Sequence, residues 1–117
     1  MLYMLMIYAH EPDWAAASEA ERAQVMREHG ELMDDLKRTG RYRSCAALES
    51  TATATTIRVR SGKTLVSDGP FAETKEQFGG YYIVDARNLD DAMVIAARIP
   101  TVRTGAVEIR PIVDEDT

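Results

Sequence analysis

Residues 68–82 read DGPFAETKEQFGGYY and lie between two segments that both have the composition of strands. Gly69 and Pro70 indicate a tight turn, and Asp68 just before them can accept hydrogen bonds from turn N–H groups or face a ligand. Pro70 also suits the first turn of a short helix, where proline loses no hydrogen bond. The glycine pair at 79–80 is typical of a strand bulge or of a close backbone approach. We therefore expect a binding site near this stretch.

The segments on either side of this stretch define an α+β order of elements. Apolar runs at residues 2–8 and 80–86 show no alternation of polar and apolar residues, so we expect both strands to be covered on two faces. Further patterns predict strands at residues 42–48, 55–60, 64–67 and 105–112, a hairpin loop at 61–63, a loop at 10–14, and helices at about 19–38 and 89–99. This order corresponds to the ferredoxin-like split β-α-β plan with an inserted β-hairpin. We predict a single α+β domain over residues 1–117.

The first helix has signals at both ends and an apolar face that contains one histidine. Ser18 and Glu21 form a capping box, and Gly40 suits the left-handed position after a helix end. His29 lies in the middle of the apolar face, whose other members are Val25, Met26, Leu32, Met33 and Leu36. For the second helix we predict a cap at Asn88, Arg98 in the last turn, and a buried stripe of Leu89, Ala92, Met93, Ala96 and Ile99.

Two helices cover only one face of the predicted sheet, and the chain has no further element for the other face. A bare apolar sheet face is normally an interaction site. We therefore expect a homodimer packed sheet to sheet with two-fold symmetry.

Composition excludes several classes of protein. The chain has 14 basic and 19 acidic residues and a net charge of −5, so it lacks the basic surface of a nucleic-acid-binding protein. The apolar N-terminal run is far shorter than the roughly 20 residues of a membrane span. The single cysteine, Cys45, forms no internal disulfide and favours a cytoplasmic location. The two histidines and scattered acids have no metal-ligand spacing, and we expect neither a metal nor another cofactor.

The stretch at residues 68–82 closely resembles the DGPF group of the YCII-related proteins. Supporting segments are TTIRVR at 55–60, DARNLDDA at 85–92, AARIP at 96–100 and VEIRP at 107–111, so the resemblance spans nearly the whole chain. It implies a dimeric α+β barrel, related in shape to muconolactone isomerase-like proteins. It also implies a small bacterial protein of unassigned activity, of a kind often encoded beside or fused to extracytoplasmic-function sigma factors. A His/Asp pair has been proposed as catalytic in the family, and the matching positions are His29 and Asp68.

The chemistry of His29 and Asp68 allows two interpretations for each residue. A histidine titrates near neutral pH and can act as a general acid or base, but His29 can also be a hydrogen-bonded core residue. Asp68 can orient an imidazole as a triad carboxylate does, or it can simply cap the turn. A catalytic pair requires the two side chains to lie within roughly 3 Å, directly or through one water.

Several other side chains are candidates for ligand binding. Lys75 can neutralise an anionic ligand, although alternating charges more often form a solvated surface. Tyr81 and Tyr82 point to opposite faces of one strand, so we expect one to line a pocket and the other to lie under the helices. Tyr8 offers a further aromatic wall. Cys45 has no evident activating neighbour except Arg43, and a nucleophilic cysteine needs a lowered pKa.

Two hypotheses on function follow. The first is acid-base catalysis by His29 and Asp68 on a small, anionic or cyclic metabolite. The alternative is a ligand-binding or interaction module that is associated with a sigma factor and regulates transcription initiation. A structural dimer with an occluded cavity is a third interpretation.

Overall fold

A computed structural model describes residues 1–114 of the chain, which form three α-helices and two antiparallel sheets. The strands are β1 (Leu2–Ala9), β2 (Tyr42–Ala47), β3 (Thr55–Arg60), β4 (Lys63–Asp68), β5 (Gln77–Asp85) and β6 (Ala106–Pro111), and the helices are α1 (Glu11–Ala16), α2 (Glu19–Arg38) and α3 (Leu89–Ala96). Short 3₁₀ turns occupy Thr51–Thr53 and Pro100–Arg103. The predicted α+β class is confirmed. The sequence also predicts a frayed acidic tail at residues 114–117, of which residues 115–117 lie outside the described residues.

The main sheet has four strands in the order β2-β5-β1-β6, and every neighbouring pair is antiparallel. Because side chains alternate along a strand, β1 and β5 each present one face to the helices. On that face Tyr3 pairs with Val84 and Leu5 pairs with Tyr82, and all four side chains are buried. Burying one large apolar side chain contributes about 1.5–3 kcal/mol, so this face holds the helices on the sheet.

The opposite face of the sheet carries apolar side chains that no helix covers. Met4 and Met6 pair with Ile83 and Tyr81, and these side chains are half-buried. Tyr8 lies on the same face, with its ring 5.6 Å from that of Phe78. The expectation that two helices leave one apolar face uncovered is therefore confirmed for the single chain.

Strands β3 and β4 form a separate two-stranded sheet, which we call the arm (residues 55–68). Its base is attached by the Gly69 N–H, which donates to the Ala54 carbonyl at 2.7 Å, and by the Thr56 hydroxyl, which donates to the Gly69 carbonyl at 2.8 Å. Every arm residue except Thr56 is exposed. The described residues have a flat outline of 48 × 47 × 19 Å, as expected when an element such as the arm protrudes.

The helix ends agree with the capping signals. The Ser18 hydroxyl oxygen accepts from the Glu21 N–H at 3.1 Å, and the hydroxyl itself donates to the Glu21 carboxylate. Gly40 has a positive φ of 74° just after α2. The Asn88 side chain accepts from the Asp91 N–H at 2.9 Å, as predicted for the cap of α3.

Three predictions of local structure are wrong. Residues 10–14 were expected to form a loop, but α1 begins at Glu11 because Pro12 sits in its first turn, where no N–H is needed. No helix begins at Pro70, and the described residues 69–76 are irregular. Helix α3 ends at Ala96, so Arg98 lies beyond it.

The predicted buried stripe of the second helix is also partly wrong. Leu89 and Met93 are both 51% exposed. The buried face of α3 consists of Ala92, Ile95 and Ala96, at helical spacing i, i+3 and i+4, and Ile99 just beyond the helix joins the same core. On α2 the same correction applies to Met26, which is 60% exposed, whereas Leu32 and Leu36 are buried.

Candidate functional site

A large cavity of about 1320 Å³ opens between the helices and one end of the main sheet. Its walls come from α1, the middle of α2, the ends of β2 and β5, and the connecting segments at residues 47–52 and 69–75. The surface of the walls is mainly apolar, with polar side chains spread among it. The ionisable side chains among them are His10, Glu11, His29, Cys45, Glu49, Glu73, Lys75, Tyr81 and Tyr82. An apolar concave surface with a few convergent polar groups is typical of a small-molecule site.

His29 and Tyr82 form the one close polar pair between α2 and β5 in the described part of the chain. His29 shares a helix face with the buried Leu32, which brings its ring onto the sheet. Its Nδ1 lies 2.7 Å from the Tyr82 hydroxyl, and the two rings are nearly parallel, with centroids 5.9 Å apart and planes 15° apart. Since Tyr82 points to the helix side of β5, the strand register decides that Tyr82, not Tyr81, meets the histidine.

Both members of this pair are neutral near pH 7. Burial lowers the pKa of His29, and the nearby Glu28 carboxylate only partly opposes this effect. Burial raises the pKa of Tyr82 to about 12, with further contributions from Cys45 and Tyr42. The hydrogen bond therefore joins a neutral imidazole to a phenol.

The second ring nitrogen of His29 is available to a ligand. Within residues 1–114 the His29 ring has one hydrogen-bond partner, the Tyr82 hydroxyl at Nδ1. No buried side-chain nitrogen or oxygen atom in that range lacks a partner, so the unpartnered Nε2 of His29 must be accessible. His29 lines the cavity, and Nε2 is the ring nitrogen that has no partner within residues 1–114.

Cys45 and Tyr42 extend this polar cluster along β2. Cys45 stands opposite Tyr82 in the β2–β5 register and also lines the cavity. The Tyr42 hydroxyl donates to the Cys45 sulfur at 3.6 Å, and the Lys37 ammonium lies 5.0 Å from the centre of the Tyr42 ring. Sequence analysis did not identify Tyr42, because the pairing of β2 with β5 is not visible in either strand alone.

Glu11 links α1 to neighbouring walls of the cavity by hydrogen bonds, and sequence analysis did not identify it. Its carboxylate accepts from the Thr51 N–H at 3.0 Å and from the Ser50 hydroxyl at 2.8 Å. Its own N–H donates to the Gln77 side chain at 2.9 Å. The bond from the Thr51 backbone is the main reason that the pKa of Glu11 is lowered. These contacts tie α1 to two other walls of the cavity.

The remaining predicted site residues are divided between the cavity and other surfaces. Lys75 lines the cavity, and Tyr81 borders it although its ring belongs to the opposite sheet face. Tyr8 does not line the cavity; its hydroxyl donates to Glu108 at 3.2 Å on the open face of the sheet.

Asp68 is not brought together with His29 in the single chain. It is the last residue of β4, where it pairs with Thr55, and it is exposed. It is absent from the cavity walls, and the hydrogen bond of the His29 ring goes to Tyr82. Strand β4 belongs to the arm, which is a separate sheet from the one that contains Tyr82.

Residues 1–114 lack both a metal-ligand cluster and a membrane-spanning helix. No cluster of three or more His, Cys, Asp or Glu side chains there has the geometry of a metal site. None of the helices in this range is long and apolar enough to cross a membrane.

The fold and the cavity define a small α+β protein with one large apolar site beside a neutral His–Tyr pair. The chain belongs to the family of the YCII-related domain, whose family model matches residues 1–116. It is also similar to an uncharacterized protein, R00369, of Rhizobium meliloti (strain 1021). The two are 38% identical over 114 residues, which cover 96% of this chain and 92% of that protein.

Proposed function

We propose that the cavity binds a small molecule and that His29 transfers a proton to or from it through Nε2. The observation that carries this proposal is an accessible Nε2 on an imidazole whose pKa is lowered by burial. A general base must be unprotonated at working pH and within hydrogen-bond reach of the substrate. A neutral histidine in the wall of an apolar cavity meets both requirements.

In this proposal Tyr82 orients the imidazole. If the Nδ1–H donates to the Tyr82 oxygen, Nε2 carries the lone pair and can accept a proton. If instead the Tyr82 hydroxyl donates to Nδ1, Nε2 carries the hydrogen and acts as a donor to a ligand carbonyl. The ¹⁵N chemical shifts of the His29 ring distinguish the two tautomers. We expect the Nδ1–H form, and finding the Nε2–H form would exclude His29 as the base.

The predicted pairing of His29 with Asp68 stays a prediction. Asp68→Asn tests it separately from the role of Tyr82. If Asp68 acts in catalysis, its replacement lowers turnover as His29→Gln does. If it is only a turn residue, its replacement leaves turnover unchanged. Lys75 is proposed as the cation that attracts an anionic ligand group, because it lines the same cavity.

Proton transfer can be tested without knowing the substrate. Mixtures of small carbon acids, including lactones and cyclic keto acids, are incubated with the protein in D₂O and followed by ¹H NMR. Loss of one C–H signal that depends on the wild-type protein, and that is absent with His29→Gln, supports the proposal. Equal exchange with both proteins refutes it. Tyr81→Phe serves as the control, because Tyr81 makes no hydrogen bond within the described chain.

We further propose that the open sheet face packs against a second copy, giving the homodimeric α+β barrel that the family resemblance implies. The support is the uncovered apolar surface formed by Met4, Met6, Ile83 and their neighbours. Sedimentation equilibrium of the wild type and of Ile83→Lys tests this point. We expect a dimer that becomes a monomer on substitution, and a wild-type monomer would contradict the proposal.

A second candidate function is an interaction module associated with an extracytoplasmic-function sigma factor. The exposed apolar surfaces of the sheet and the arm favour it over a purely structural role. It also requires the predicted cytoplasmic location. Co-purification with a sigma factor encoded beside the gene, with and without small ligands, tests this candidate, and an empty pull-down in both conditions would count against it.

A further inference from the structure

The arm has no cover in the single chain. Its apolar side chains are well exposed, with Ile57 at 65%, Val59 at 60%, Leu65 at 49% and Val66 at 65%. A two-stranded hairpin without packing is only marginally stable in water. An arm of this length therefore needs a surface to pack on.

The two faces of the arm differ in chemistry. Ile57 pairs with Val66 and Val59 pairs with Thr64, so one face has an apolar centre. The alternate positions place Arg58, Arg60 and Lys63 on the other face, together with Leu65, which pairs with Arg58. The arm is thus amphipathic, with an apolar face that suits a protein surface and a basic face that suits an acidic rim.

Charge indicates which protein the arm meets. The arm carries three basic side chains and one carboxylate, a net charge of +2, whereas the whole chain carries −5, so the rest of the chain carries −7. Opposite charges steer association and disfavour wrong partners. A second copy of this chain offers a strongly acidic body, to which the basic face of the arm is complementary.

The base of the arm continues directly into the cavity wall. Gly69 is held by the Ala54 carbonyl and the Thr56 hydroxyl at the end of the arm, and residues 69–75 then line the cavity. Any contact that fixes the arm also fixes the start of this wall. Asp68, the last residue of the arm, stands at the same junction.

We propose that the arm of each chain packs on a second copy and thereby holds the cavity wall at residues 69–75 in place. This inference rests on the proposed homodimer, but it adds a second contact surface and a link to the binding site. The apolar face of the arm supplies the adhesion, and its basic face contacts carboxylates of the other chain.

The matched test compares Val66→Asp in the arm with Val94→Asp on α3. Both valines are 65% exposed in the single chain, so Val94→Asp controls for placing a carboxylate at an exposed valine. Burying an aspartate without a partner is costly, and we expect Val66→Asp to raise the dimer dissociation constant at least about tenfold in sedimentation equilibrium. Val94→Asp should leave it unchanged. Amide hydrogen exchange at residues 69–75 should become faster with Val66→Asp only.

A cross-linking experiment on the wild type does not depend on the folding of any variant. Equal amounts of ¹⁴N- and ¹⁵N-labelled protein are mixed and treated with a zero-length carbodiimide, which joins lysine to carboxylate. We expect mixed-label peptides that join Lys63, near the arm's tip, to a carboxylate of the other chain.

The possible outcomes separate the two proposals. A wild-type dimer with equal dissociation constants for the two valine variants and no mixed-label Lys63 peptide overturns the arm contact, while the sheet-face dimer stands. A wild type that is monomeric at all concentrations overturns both. Faster exchange at residues 69–75 in both variants, or in neither, overturns the link between the arm and the cavity.

Discussion

Removing the Tyr82 hydroxyl tests the pairing on which the candidate site depends. In Tyr82→Phe the aromatic ring stays in the core, where Tyr82 is only 3% exposed, and it can still stack on the imidazole. The substitution therefore deletes one hydrogen bond, the 2.7 Å contact with His29 Nδ1, with little change in packed volume.

The magnitude follows from that single lost contact. An intramolecular hydrogen bond contributes about 0.5–1.5 kcal/mol net, because the unfolded chain bonds to water instead. The His29 ring lines the cavity, so water can reach Nδ1 after the change and the larger penalty of a sealed, unpartnered atom does not apply. We expect the free energy of unfolding to fall by about 1 kcal/mol and Tm to fall by roughly 4 °C.

The assay is urea unfolding of the four proteins of a double-mutant cycle: wild type, Tyr82→Phe, His29→Ala and the double variant. Protein concentration is held constant, since oligomerisation shifts apparent stability. We expect a coupling free energy of about 1 kcal/mol between the two sites. Tyr81→Phe is the control and should change stability by less than about 0.5 kcal/mol. A coupling near zero, or an equal loss in Tyr81→Phe, would refute the claimed pairing.

Three further perturbations test other parts of the structure. Gly80→Ala should lower Tm, because its Cβ would lie 2.7 Å from the Ala46 carbonyl oxygen; an unchanged melting curve would contradict the close approach. Gly30→Ala should raise the free energy of unfolding by about 0.5–1 kcal/mol in urea titrations, since its Cβ meets nothing within 4 Å in a helix. His29→Gln should flatten the pH dependence of stability. Because burial lowers the pKa of His29 in the folded protein, the unfolded chain binds more protons. The free energy of unfolding of the wild type should therefore decrease as the pH is lowered below about 6.5. Parallel pH profiles for the two proteins would contradict this.

The local signals in the sequence predicted most elements of the fold because they act within a few residues. The Ser18 cap, the Gly40 helix end and the hairpin at residues 55–68 depend on chemistry that neighbouring residues supply. The exposed Leu89 and Met93 show where this reasoning fails, since the buried face of α3 is chosen by the sheet beneath it. A weak apolar pattern fits more than one rotation of a short helix.

For the same reason, the sequence predicted one member of the His29–Tyr82 pair but not the other. His29 stood out because a titratable side chain interrupted an apolar helix face, and that signal is local. Its partner is set by strand pairing 53 residues away, which no local pattern contains. Sequence could state that Tyr81 and Tyr82 face opposite ways, but not which of them faces the helices. The family resemblance supplied Asp68 instead, and in the single chain that residue lies on the arm.

The glycine pair explains why the sheet has a cavity at this end and a packed core at the other. The β1–β5 register shifts between Ile7 and Tyr8: Ile7 stands opposite Gly80, whereas Tyr8 stands opposite Phe78. The extra residue, Gly79, forms a bulge and reverses the faces of all residues before it. Without the bulge, Phe78 would lie on the same face of β5 as Tyr82 and would point into the cavity.

With the bulge, the Phe78 ring lies against Tyr8 on the open face. Gly80 lies on the same face of β5 as Tyr82 but has no side chain, and a Cβ there would meet the backbone of Ala46. The two glycines thus remove two side chains from the helix side of β5. The bulge at Gly79 turns Phe78 to the open face, and Gly80 has no side chain. The same local change enlarges the apolar surface on the opposite face of the sheet. The cavity and the proposed dimer surface therefore have one common structural cause.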